Sequence, residues 1–142
     1  RFRLMTRGEA FNTAADVMRV VEIATAMPGR LIWIPTRGWR DPLIRALIEG
    51  LVMPLPNVAV LASLDPSNSE SEYRDLVSAG WPTMFFGDGS GWTGPDHGFN
   101  CPKTTHTRAN PKGIKGHCGD CKAGCFAGPI LNRRVDVILS QH

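Results

Sequence analysis

The sequence predicts an α/β domain. A mostly parallel sheet, open or a partial barrel in the order β-α-β-α-β-α-β, carries a cysteine-rich, irregular, metal-binding C-terminal segment. Three observations predict it. Short apolar runs alternate with amphipathic stretches over residues 1–88, and such alternation builds parallel strands joined by helical crossovers. Residues 87–132 then become rich in Gly, Pro, Asn and Thr. All four cysteines fall inside that stretch, within the 25 residues from 101 to 125.

Each element follows from local chemistry. Phe2-Arg3-Leu4-Met5 reads as a short strand. Thr13-x-x-Asp16 has capping-box spacing, and Val17, Val20, Val21 and Ala24 then share one helical face until Pro28-Gly29. Leu31-Ile32-Trp33-Ile34 is a compact apolar strand. Asp41-Pro42 opens a second helix, with Asp41 as N-cap and Pro42 in the first helical position. Its expected buried stripe is Leu43, Leu47 and Leu51, with Ile44, Ile48 and Val52 beside it, and Pro54 and Pro56 stop it. Val58-Ala59-Val60-Leu61-Ala62 is apolar throughout, as a strand covered on both faces should be. Ser67-x-x-Glu70 and Ser69-x-x-Glu72 offer two overlapping capping boxes for a third helix that carries Tyr73, Leu76 and Val77 and closes at Gly80. Thr83-Met84-Phe85-Phe86 is the next strand, and residues from Val135 to Leu139 form a final one. No regular strand is expected between residues 87 and 132. The chain is read as one domain: an α/β core over 1–88, a metal-binding segment over 89–132 and a closing strand within 133–142.

Composition narrows the class. Hydrophobic residues make up 42% and charged residues 20% of 142 residues, the profile of an ordinary globular domain. No apolar run approaches the roughly 20 residues of a membrane helix, and no charged-then-apolar leader opens the sequence, so the expected compartment is the cytoplasm. The net charge of +3 is uneven. Residues 1–100 hold 9 basic and 11 acidic groups, whereas residues 101–142 hold 7 and 2. The basic excess therefore lies with the cysteines. It either offsets a centre of four thiolates or attracts nucleic acid through Lys103, Lys112, Lys115, Lys122, Arg133 and Arg134.

The cysteine pattern is Cys101-x16-Cys118-x2-Cys121-x3-Cys125. A disulfide framework suits small secreted chains that lack a core, and a redox-active C-x-x-C pair leaves Cys101 and Cys125 without a role. A metal centre accounts for all four, and for a long irregular segment that metal–thiolate bonds would fold. Structural zinc sites use two paired knuckles, and only one such pair is present. Three closely spaced cysteines with one remote cysteine followed by proline (Pro102) favour an iron–sulfur cluster, 4Fe–4S in type. Zinc is the alternative, with four cysteines or with His106 or His117 in a mixed set.

A second set of candidates lies in the loops that follow the strands, where open α/β sheets and barrels collect ligands. Arg37 and Arg40 suit a phosphate or carboxylate. Ser63, Asp65 and Asp88 complete the set, the two aspartates as acid/base groups or as partners of the arginines. Trp39 and Trp92 suit stacking on a flat ligand. The competing assignment is structural, with Asp65 and Ser67 capping a helix.

The phrases Ile-Pro-Thr-Arg-Gly-Trp-Arg (34–40) and Ala-Ser-Leu-Asp-Pro-Ser-Asn (62–68), with the ending Cys-Pro-Lys-Thr and Cys-x-x-Cys-x-x-x-Cys-Phe, resemble the gene-product-88-like small proteins of phages that infect actinobacteria. The resemblance implies a phage-encoded iron–sulfur protein, and it carries over only Cys101, Cys118, Cys121 and Cys125. Radical S-adenosylmethionine enzymes also set a cluster on a partial α/β barrel, but with C-x3-C-x2-C after the first strand. The reversed spacing here, late in the chain and with a fourth cysteine, does not lead to radical chemistry. The expected function is therefore an iron–sulfur protein in redox or sensing use, with a redox partner or a small anionic ligand. The alternatives are a zinc-stabilised nucleic-acid-binding module and a small metal-dependent enzyme.

Overall fold

A computed structural model describes residues 2–4, 8–87, 90–96, 99–101 and 136–140. Six strands form one sheet: β1 (Phe2–Arg3), β2 (Ile32–Thr36), β3 (Val58–Leu64), β4 (Thr83–Gly87), β5 (Phe99–Asn100) and β6 (Asp136–Ser140). Their order across the sheet is β1-β2-β3-β4-β6-β5, and every pairing is parallel. The α/β class with a parallel sheet is thus as the sequence predicts. β1 and β5 are edges, so the sheet is open among the described residues.

Three helices connect the first four strands: α1 (Ala14–Ala26), α2 (Pro42–Leu47, continued by a π turn over Ile48–Val52) and α3 (Glu70–Ser78). Each start has a cap. Thr13 and Asp16 exchange side-chain and backbone hydrogen bonds, and Ser69 and Glu72 do the same. Asp41 accepts from the Leu43 and Ile44 amides at 2.9 and 3.1 Å. Of the two overlapping boxes before α3, only Ser69/Glu72 forms. Ser67 instead turns its amide and hydroxyl to Asp65.

Strand alternation sorts the core into two faces. Ile32, Ile34, Val58, Val60, Ala62, Leu64 and Phe85 pack in one cluster with all three helices. Parallel strands added in one direction place right-handed crossovers on one face, as found here. Trp33, Ala59, Leu61 and Met84 point to the other face, with Leu139 packed against them. That face is buried too, with Ala59 and Leu61 at 0% exposure, although no described helix belongs to its cluster.

Two expectations are corrected. The buried stripe of α2 is Ile44, Ile48 and Val52, whereas Leu43 and Leu51 are 65% and 41% exposed. The two stripes lie side by side on the helix, and the β-branched set fills the sheet-facing side. The second correction is β5, a strand inside the stretch expected to have none. Two residues carry no periodicity for a sequence pattern to show.

Candidate functional site at the carboxyl edge of the sheet

The loops that leave β2 and β3 meet over two arginines and one aspartate. Arg37 Nη2 lies 2.6 Å from Asp65 Oδ2, and Arg40 Nη2 lies 3.8 Å from the same oxygen. The other carboxylate oxygen accepts from the Ser67 amide at 2.9 Å and from the Ser67 hydroxyl. Arg40 is held further by Asn68 Oδ1 at 3.1 Å, and its guanidinium sits 5.4 Å from the centre of the Trp39 ring. Asn68 is buried and also accepts from the Asp65 amide at 2.9 Å. The Ser67 hydrogen bonds, then Arg37 and Arg40, hold the Asp65 carboxyl below its ordinary range against the opposing effect of burial.

Asp65 stands as an anion between two arginines, the pairing expected for it, and the trio keeps one positive charge in excess. A group held ionised at neutral pH is a poor proton donor, though it remains able to accept a proton. Its carboxylate also fills the position between the guanidinium groups that an anionic ligand would take. Glu9, which the sequence did not single out, adds charge beside them. Glu9 Oε2 accepts from the Arg37 amide at 2.6 Å, and Glu9 Oε1 accepts from the Ala10 and Phe11 amides at 2.8 and 3.1 Å and from the Thr36 hydroxyl. Its contacts to Thr36 and Arg37 span 27 and 28 residues, so no local spacing could have revealed them.

The remaining candidates disperse. Ser63 shares its side of β3 with Ala59 and Leu61, on the helix-free face, away from the arginines. Its carbonyl accepts from Trp39 Nε1 at 3.1 Å. Trp39 is 6% exposed under Arg40, and Trp92 packs against Tyr73 and Phe85 with ring centres 5.5 and 5.2 Å apart. Trp39 is thus taken up by packing, whereas Trp92 stays partly exposed beside its two ring partners. Asp88, Cys118, Cys121 and Cys125 lie outside the described residues, as do Lys103, Lys112, Lys115, Lys122, Arg133 and Arg134.

Cys101 is described, and its place is informative. It directly follows β5, is partly buried, and its amide donates to the Ile138 carbonyl at 2.8 Å. Across the sheet, Asn100 pairs with Ile138, Ile138 with Phe85, and Phe85 with Leu64. One residue further along, Cys101 is level with Asp65, three strand spacings or about 15 Å away. Both therefore stand at the carboxyl edge. The direction of strand addition also reverses here: strands are added one way up to β5, and β6 returns between β4 and β5. Such a switch point is where open α/β sheets bind ligands.

Among the described residues, no three His, Cys, Asp or Glu side chains are grouped to hold a metal, and no helix is long and apolar enough to cross a membrane. No protein-family model, curated protein or solved structure matches the chain.

Proposed function

We propose that this protein holds an iron–sulfur cluster, 4Fe–4S in type, through Cys101, Cys118, Cys121 and Cys125, and uses it in redox or sensing chemistry. The carrying observation is the position of Cys101, tied by its backbone to β6 at the switch point of the sheet. Beside it lies the sheet face opposite the described helices. That face presents Trp33, Ala59, Leu61 and Met84, an apolar floor of the kind that limits solvent around a cluster. Four thiolates would close the coordination, so the cluster would supply one-electron transfer and not a site for substrate. The chain's own part is to fix one ligand on the sheet and to exclude water beside it.

The resemblance to small actinophage proteins supports a phage-encoded protein acting in the cytoplasm of a bacterial host. The Arg37–Asp65–Arg40 group keeps one positive charge in excess, which supports either a small anionic ligand or an acidic electron-transfer partner at this edge.

The test is metal and acid-labile sulfide analysis with an absorption spectrum, on protein purified without oxygen. Iron and sulfide in near-equal amounts, with broad visible absorption lost in Cys101→Ser, is the expected result. One zinc per chain and no colour overturns it. The basic segment would then favour the zinc-stabilised nucleic-acid module, which salt-dependent DNA or RNA binding would reveal.

A further inference from the structure

Cys101 depends on one strand for its place in the sheet. β5 pairs with β6 and with no other described strand, and β6 pairs with β4 on its other side. The Cys101 amide donates to the Ile138 carbonyl of β6 at 2.8 Å. Wherever β6 sits along β4, Cys101 follows. Yet the apolar run of β6 does not fix that position. Val137, Ile138 and Leu139 are consecutive, and Ile138 and Leu139 pack on opposite faces of the sheet. A strand that is apolar on both sides specifies its register weakly. Asp136 breaks the degeneracy. It shares the helix side of the sheet with Ile138, and it is 8% exposed. Its Oδ1 accepts from the Thr83 hydroxyl of β4 at 2.8 Å, and its Oδ2 accepts from the Tyr73 hydroxyl of α3 at 3.2 Å. The Tyr73 ring is steadied in turn by Trp92, with ring centres 5.5 Å apart.

We propose that Asp136 is the positioning residue for Cys101: by seating β6 on Thr83 and Tyr73, it sets where this metal ligand stands. The ligand role of Cys101 rests on the centre proposed above; the seating of Cys101 by Asp136 does not. A one-residue slip of β6 would turn the Asp136 carboxylate toward Trp33, Ala59, Leu61 and Met84, where it would lose both hydroxyl donors in apolar surroundings. A two-residue slip would keep the face but carry the carboxylate about 7 Å from Thr83. Each residue of slip would also move Cys101 about 3.3 Å along the sheet, whereas metal–ligand distances hold to about 0.2 Å. The register of β6 is therefore what the centre needs kept, and the buried carboxylate keeps it.

Amide hydrogen exchange read residue by residue, on the protein purified with its metal, tests this. In Asp136→Ala the Cys101 amide should exchange roughly tenfold faster or more, and bound metal should pass to a chelator faster by a similar factor. Amides of β2 and β3 should keep their wild-type rates. Asp136→Asn still offers an oxygen to Thr83 and an N–H to the Tyr73 oxygen, so both rates should return to within about threefold of wild type. Thr13→Ala, which removes the cap of α1, serves as control and should leave Cys101 exchange and metal release unchanged. Tyr73→Phe removes one donor and keeps the carboxylate, and it decides the matter where Asp136→Ala does not fold: Cys101 exchange should rise about threefold with β2 and β3 unchanged. Exchange at Cys101 that stays at the wild-type rate overturns the proposal. Acceleration spread evenly over β2, β3 and β6 also overturns it, since that marks a residue serving stability alone. An asparagine variant as loose as the alanine one does the same. Colourless, zinc-loaded protein would sink the iron–sulfur reading and leave this test intact. Unchanged exchange in protein that holds iron and sulfide would sink the role of Asp136 alone.

Discussion

At Asp65, one carboxylate is bound to two guanidinium groups and to the Ser67 amide and hydroxyl. Its folded-state pKa is lowered from 3.8. The unfolded chain therefore takes up this proton first as pH falls. The associated stability is complete well above pH 3.8 and is lost as pH drops through the lower folded value. Arg37 and Arg40 are 52% and 38% exposed, so solvent screens the ion pairs and their share is about 1 kcal/mol or less. Asp65→Asn should thus lower the urea midpoint slightly at neutral pH and flatten its fall below about pH 4. An acid limb identical to wild type would show that Asp65 contributes no such linkage. The arginines and Asp65 were legible because they lie in short loops at strand ends. Glu9 was not, because its role depends on where β2 arrives.

At the scale of elements, starts were more legible than faces. A capping box is a local pattern, and both boxes that form have the spacing the sequence shows. The choice between Ser67 and Ser69 was settled by Asp65, which binds Ser67 in its own turn and leaves Ser69 to begin α3. Ser69→Ala is expected to destabilise the protein by about 1 kcal/mol, measured by chemical denaturation. Ser67→Ala removes only an exposed hydroxyl contact and should cost about half of that or less. Equal losses would mean that α3 begins earlier than Ser69. The end of α1 gives the opposite lesson. Its last carbonyls are met by Asn57, whose amide donates to the oxygens of Ala24 and Met27 at 3.0 Å each. Pro28-Gly29 does mark where the helix ends, but nothing local announces that Asn57 caps it. The stripe of α2 was misread for a related reason: two apolar rows lie side by side, and periodicity alone does not say which one meets the sheet.

Across the whole molecule, the sheet and its helix side follow from alternation in the sequence. What pattern reading does not supply is the order β4-β6-β5, because a two-residue β5 carries no signal and the return of β6 is a long-range choice. That order gives Cys101 its setting, and it leads to a last expectation that rests on the proposed cluster. If the cluster beside Cys101 helps to cover the sheet face opposite the described helices, then removing the metal should open that face and leave the helix side closed. Met84 and Met18 are built-in reporters. Met84 is 5% exposed on the helix-free face, and Met18 is 49% exposed on α1. A brief radical-footprinting pulse read by mass spectrometry should label Met18 in both states and Met84 only after metal removal. Phe11, 1% exposed in the helix-side core, separates local opening from global unfolding, because it should stay protected throughout. Protection of Met84 that survives metal removal would mean that apolar packing alone covers the second face. The metal would then be free to serve electron transfer without holding the fold together.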